Sequence, residues 1–347
     1  MPDLTIIVGI IFIAGCNYLA TGWFIKYARK NNITDIPTER SSHSTPTPRG
    51  GGLGFVLTSI IAFVVYFAWE GLLTSSGYLA FIVTISIVAS LGWFDDRKNL
   101  SQIIRFTIQV IAAAFILFFI TGLKTFSLPY VQEFSLGFFS PFLGILWITG
   151  VTNIYNFMDG VDGIATVQAL TASGGWVVFA LLWSEPILFT LNLIVFATVL
   201  IFLIYNWAPA KIFMGDVGSL FLGFFFAVMP FIAAYVSEET TIASTLWIGV
   251  ILLWPFLFDS SSTLVRRLRN GENIFKAHRS HLYQRLNIAG WSHSEISTLY
   301  LAFALFCLII ALLYYHETET IRILLLILLL ILSLFYSRNV QKLEKSD

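Results

Sequence analysis

Charge is what this 347-residue chain most lacks: Asp, Glu, Lys and Arg make up 12% of it, and its mean hydropathy is +0.81. Soluble domains carry about 25% charged residues, so a fold surrounded by water is excluded in favour of a polytopic membrane protein. Cysteine is nearly absent. Cys16 and Cys307 lie far apart inside apolar segments, without the spacing of a disulfide framework or a thiolate metal site, and read as small core residues. Charge of one sign is missing as well, since 20 basic residues balance 20 acidic ones. The total therefore points to no partner, and no nucleic acid is expected as one. A basic leader is missing before the first apolar stretch, about residues 4–28, which is too long for a signal segment and reads as a retained span. Nor is there a soluble domain, a long linker, a low-complexity tract or an internal repeat.

What is present is apolar sequence in membrane-length pieces. A bilayer core takes about 20 apolar residues per helix. Suitable segments run over 4–28, 51–69, 77–94, 102–121, 139–157, 163–183, 187–207, 216–236, 241–259, 298–315 and 320–337. The expected fold is all-α, with about eleven transmembrane helices. Placing the N-terminus outside leaves only Lys124 and Arg322, of the 20 Lys and Arg residues, on the outer side. That asymmetry predicts an outside N-terminus and a cytoplasmic C-terminus. Residues 1–347 form one integral-membrane domain, with 260–297 as its long cytoplasmic loop. The segment from Lys124 to Leu136, alternating Phe126, Leu128 and Tyr130, predicts a small hairpin.

This orientation gathers the polar clusters on the cytoplasmic side. Asn153, Asn156, Asp159 and Asp162 recur every three residues at the end of the fifth span, which would line all four along one edge of a helix. Polar groups in hydrocarbon are costly unless paired, so the row suggests a buried task; helix-end caps with a Gly turn are the alternative. Asp95-Asp96-Arg97-Lys98 follows the third span, and Asn206 to Ser219, with Lys211 and Asp216, follows the seventh. The long loop holds His278-Arg279-Ser280-His281, and Arg49-Gly50-Gly51-Gly52 precedes the second span. Taken singly, these also read as an interfacial turn, a helix cap at Asp216, surface histidines and a flexible entry at Arg49. Together on one face they read as a site. Asp95, Asp96, Asp159, Asp162 and Asp216 would repel one another without cations among them. Hard oxygen ligands without thiolate favour Mg2+, with Mn2+ open, and Mg2+ commonly completes its shell with substrate phosphates.

Five ordered motifs, HSTPTPRGGG, DDRK, NIYNFMDGVDGIA, NWAPAKIFMGDVGSL and HRSHLYQRL, spread from His43 to Leu286. With them the chain resembles the polyprenyl-phosphate N-acetylhexosamine-1-phosphate transferases of glycosyltransferase family 4, from Arg40 to about Arg285. The resemblance implies transfer of a HexNAc-1-phosphate from a UDP-N-acetylhexosamine to undecaprenyl phosphate, with release of UMP, at the cytoplasmic face of a bacterial inner membrane. It implies Asp216 as a Mg2+ ligand, with Asp159 sharing the metal. Asp95 and Asp96 would face the lipid phosphate, one as a base. Asn153, Asn156, Asp159, Asp162, Asn206 and Lys211 would surround the nucleotide, and Arg49 its phosphates. His278, Arg279 and His281 would engage the sugar nucleotide from the long loop. The peptidoglycan enzymes carry consecutive histidines there, so His278-Arg279-Ser280-His281 sits closer to the GlcNAc and O-antigen branch. The family's lysine after the Asp pair is displaced: Lys98 comes one residue early and Asn99 takes its position. The lipid bilayer is a partner by composition, and a homodimer is left open. The rival class is a transporter or flippase of an anionic lipid or nucleotide sugar, which would place ionisable residues near mid-span.

Overall fold

In hydrocarbon every backbone N–H and C=O must be satisfied within the segment, which leaves the α-helix as the simplest spanning structure. The computed structural model follows that constraint. It describes residues 4–31, 33–35, 46–120, 125–128, 131–237, 240–273, 276 and 278–343. Helices α1 (Leu4–Lys30), α2 (Gly52–Trp69), α3 (Ser76–Lys98) and α4 (Gln102–Phe119) are followed by α5 (Ser140–Met158), α6 (Ile164–Leu182), α7 (Pro186–Asn206) and α8 (Gly215–Val236). After these come α9 (Ile242–Leu252), α10 (Trp254–Arg269), α11 (Leu282–Ile288), α12 (His293–His316) and α13 (Glu319–Leu343). Strand β1 (Thr34–Asp35) pairs antiparallel with β2 (Thr47–Pro48), and β3 (Thr125–Leu128) with β4 (Val131–Ser135). The second pair is the expected hairpin. His43, Arg40, Lys124, Tyr130, Lys345 and the Glu238-Glu239 pair lie outside the described residues.

Among the described residues ten helices are long and apolar enough to cross a bilayer, or eleven if one bent pair counts as a span. That pair corrects the ninth expected segment. Instead of one helix over 241–259, α9 and α10 meet at Leu253 with a 76° bend. Pro255 supplies the cause: it has no N–H for the carbonyl four residues back, and its ring would collide there. α10 then runs to Arg269, so the segment expected as a loop from residue 260 begins as helix. Its far end is shortened too, because α12 starts at His293. Ser292 Oγ accepts the Glu295 N–H while the Glu295 carboxylate accepts the Ser292 N–H, a reciprocal cap that fixes the start.

The core centres on α8. Its membrane-length window is 94% buried, against 11% for α1 and for α13. α3, α5, α9 and α2 pack around it. Two close approaches set its N-terminal end: Gly92 of α3 lies against the backbone of Asp216, and Gly52 of α2 against Gly218. A side chain at either position would force the helices apart, which is the use of small residues between membrane helices. Outward-facing Phe118, Trp69 and Ile103 leave an apolar surface suited to lipid.

Candidate functional site

The helix ends around the N-terminus of α8 enclose a polar cavity of about 280 Å3, walled by Arg49, Asn156, Asp159, Asp162, Asn206 and Asp216, and also by Asp35, Gln284 and His293. Arg49 enters from the segment between β2 and α2. Its Nε lies 2.9 Å from Asp96 Oδ1 and a terminal nitrogen 3.1 Å from Asp216 Oδ2. Burial works against its charge, but Asp96 and Asp216 outweigh that and hold its pKa above the ordinary value.

Asp96 is committed to structure. Its two carboxylate oxygens accept the N–H groups of Asp216 at 2.9 Å and Val217 at 3.0 Å, so a side chain on α3 caps α8. A carboxylate at a helix N-terminus satisfies orphan donors and meets the positive end of the dipole. The consequence is a fixed Asp216, whose own carboxylate accepts from Asn156 Nδ2 at 2.8 Å as well as from Arg49. Asn156 also donates to Ser219 Oγ. Asp95 is buried, paired with Arg105 at 2.6 Å, and accepts the Leu100 N–H. Neither Asp95 nor Asp96 lines the cavity.

The expected four-residue stripe is corrected in part. α5 stops at Met158, so Asn153 and Asn156 are helical, Asp159 is the C-cap and Asp162 lies in the turn beyond. Gly160 and Gly163, the latter at φ +82, end the helical path. The turn still delivers both aspartates to the cavity. The Asp159 N–H donates to the Asn156 carbonyl at 3.3 Å, while its carboxylate has no hydrogen-bond partner among the described residues. Burial, with Asp216 and Asp96 nearby, pushes its pKa up to about 7. Asp162 accepts the Ala210 N–H at 3.0 Å and meets His293 Nδ1 at 3.3 Å. Asn206 ties the walls together, accepting from Gly163 N–H and Thr166 Oγ1 and donating to the Ile212 carbonyl. Asn153 bonds Gln109 and the Thr149 carbonyl, a turn away from the cavity. Lys211 is exposed, with its ammonium near the Tyr205 ring.

The long segment sends different residues to the wall than expected. His278 contacts Ser280, and its ring lies tilted beside that of His281, with centroids 5.0 Å apart. Burial, then His281 and two arginines, lower its pKa to about 4, so its imidazole is neutral at pH 7. Arg279 donates to Asn287, and buried His281 meets Asp259. Gln284 and His293, on α11 and α12, are the side chains that reach the cavity, and sequence reasoning missed both. Gln284 stands inside HRSHLYQRL, three residues past His281, but His281 itself turns to Asp259, so the spacing alone did not mark Gln284. Asp259 was also overlooked, although an acidic residue inside an apolar run is a signal in itself.

Among the described residues no group of three or more His, Cys, Asp or Glu side chains forms a ready metal cage. The donor set nevertheless fits a cation that takes one or two carboxylates and completes its shell with phosphate oxygens: Asp159 and Asp216 both open onto the same cavity.

Residues 78–234 match the model of glycosyl transferase family 4. Over 271 residues the chain is 35% identical to a Bacillus subtilis (strain 168) protein named "Probable undecaprenyl-phosphate N-acetylglucosaminyl 1-phosphate transferase", covering 77% of this chain and 73% of that one. A Mycobacterium leprae protein named "Decaprenyl-phosphate N-acetylglucosaminephosphotransferase" is 29% identical over 80% of this chain and 76% of its own length. A Streptococcus pneumoniae serotype 19F protein named "Phospho-N-acetylmuramoyl-pentapeptide-transferase" is 28% identical, covering 73% and 79% respectively.

Proposed function

Because the chain belongs to glycosyl transferase family 4, among the polyprenyl-phosphate N-acetylhexosamine-1-phosphate transferases, we propose that it moves a HexNAc-1-phosphate from a UDP-N-acetylhexosamine to undecaprenyl phosphate. The observation that carries this reading is the cavity where Arg49, Asp159 and Asp216 meet at the ends of the spans. A diphosphate needs both cationic neutralisation and a fixed geometry, and phosphoryl transfer asks the protein for little else.

The lipid phosphate oxygen attacks the phosphorus that carries the sugar. A new P–O–P linkage forms, the bond to the uridine-side phosphate breaks, and UMP leaves with the electron pair. A phosphate monoester has its second pKa near ~6, so the nucleophile is already largely deprotonated at neutral pH. No protein base is required, which agrees with Asp95 and Asp96 having their oxygens engaged elsewhere. Arg49 is placed to exchange a carboxylate partner for a donor phosphate oxygen. Asn156 holds Asp216, and Gln284 and His293 orient the donor from the opposite wall. Mg2+, or Mn2+, held by Asp216 and Asp159, would supply charge neutralisation on the diphosphate. Asp162 and Asn206 keep the walls in register.

The substrate class and the positive-inside distribution together support an outside N-terminus and a cytoplasmic site in a bacterial inner membrane. The His278-Arg279-Ser280-His281 sequence favours a GlcNAc-type donor and the start of an O-antigen-like surface polysaccharide. The transporter reading finds less support, because the cavity is built from span ends and α8 carries no charged residue after Asp216. The test is a panel of UDP-HexNAc donors given to purified protein with undecaprenyl phosphate and Mg2+. A lipid diphosphate sugar detected by mass spectrometry for one donor identifies the substrate. Its absence with every donor, from well-folded protein, overturns the proposal.

A further inference from the structure

Asp259 is buried in α10, inside a helix otherwise apolar up to that point, and its carboxylate is wholly occupied. Oδ1 accepts the Leu282 N–H at 2.8 Å and meets His281 Nδ1 at 3.2 Å; Oδ2 accepts the Tyr283 N–H at 3.1 Å and the Tyr300 hydroxyl. Leu282 and Tyr283 are the first two residues of α11, so their N–H groups have no acceptor within the helix. α11 has only 7 residues, too few to persist unaided. Its opposite side is also fastened. The Tyr283 hydroxyl donates to the Phe157 carbonyl at 3.0 Å, and Gly160 leaves the room that hydroxyl occupies. One residue further on, Gln284 accepts the His281 N–H at 3.1 Å and forms part of the cavity wall. α11 is therefore held between the end of α5 and a carboxylate on α10, with one polar side chain delivered to the cavity.

We propose that Asp259 is a positioning residue for the transferase site: it caps α11 from another helix and thereby holds Gln284 where its amide meets an oxygen of the sugar-nucleotide donor. The proposal rests on reading the cavity as the donor site. Asp259 touches no substrate and acts through Gln284, while the lipid acceptor is untouched by either. Exchanging Asp259 for Asn turns one acceptor into a donor facing an N–H, which loosens α11 without removing bulk.

The experiment pairs amide hydrogen exchange with steady-state kinetics on the full-length protein in detergent. Asp259→Asn should speed exchange over residues 281–288 and leave α3 and α8 unchanged. It should also raise the KM for the UDP-sugar by about tenfold, the scale of one lost hydrogen bond, with the undecaprenyl phosphate KM unchanged. Gln284→Ala should raise the donor KM by a similar factor, again with the undecaprenyl phosphate KM unchanged. The double variant should be no worse than the more affected single one, because both remove the same contact. Should Asp259→Asn fail to fold, Asp259→Glu keeps the charge one methylene out of place and should give the same selective rise. Unchanged exchange over 281–288, multiplicative donor KM effects in the double variant, or equal rises in both KM values would overturn the proposal. Wild-type protein that turns over no donor defeats the transferase reading alone, and the exchange result still judges the cap.

Discussion

At the scale of single residues, what separates the aspartates is the partners their oxygens have found. Asp96 faces two backbone N–H groups and Arg49, and Asp95 faces Arg105 and Leu100. Asp159 and Asp216 open onto the cavity. On the proposed transferase reading those two carboxylates hold the cation on the donor diphosphate, so Asp216→Asn and Asp159→Asn should each cut UMP release by about 10²–10³-fold or more, the scale of removing one fixed electrostatic group from a transition state. The melting temperatures should stay within a few degrees. Turnover near the wild-type rate in either variant would take that residue off the catalytic list. His278 carries a pH prediction. Its pKa falls from 6.5 to about 4 through burial, His281 and the nearby arginines. Between those values the unfolded chain binds the proton and the folded one does not, so stability drops as pH falls through that window. Thermal melts from pH 7 to pH 4 should decline less steeply for His278→Gln than for wild type. Parallel profiles would contradict the assignment.

At the scale of elements, two helices are started by carboxylates that belong to other helices: α8 by Asp96 of α3, and α11 by Asp259 of α10. No local motif announces such a cap, because donor and acceptor are far apart in sequence. That explains what the sequence left hidden. The apolar runs gave away the spans, and the hairpin was readable from alternation. The bend at Leu253 was not, although Pro255 was in view, since hydropathy averages over a helix break. Arg49, Asn156, Asp159, Asp162, Asn206 and Asp216 were legible as cavity residues because they sit in dense polar motifs at span ends. Gln284 and His293 were not, because only packing decides which side of a short helix faces inward. The docking of α11 also makes a test. In Gly160→Ala the new methyl would collide with the Tyr283 hydroxyl, so activity should fall several-fold, and adding Tyr283→Phe should restore part of it. A Gly160→Ala protein with full activity would mean that α11 is not held there.

At the scale of the whole molecule, the bundle consists of a buried axis and an exposed apolar rim. α8 is enclosed by α2, α3, α5 and α9 and contributes Asp216 from its first turn, so this cavity carboxylate stands on the most buried of the candidate spans. α1 and α13 lie at the lipid boundary. The relatives that share this span of sequence bear names that include undecaprenyl phosphate, decaprenyl phosphate and phospho-N-acetylmuramoyl-pentapeptide. The central claim is that one cavity joins a lipid phosphate to a sugar nucleotide with metal assistance. The most direct measurement is UMP release by the purified protein with UDP-GlcNAc, with undecaprenyl phosphate and Mg2+ each present or withheld. The account predicts release only when both are present. Release that ignores the lipid, or that persists undiminished under chelation, would contradict it.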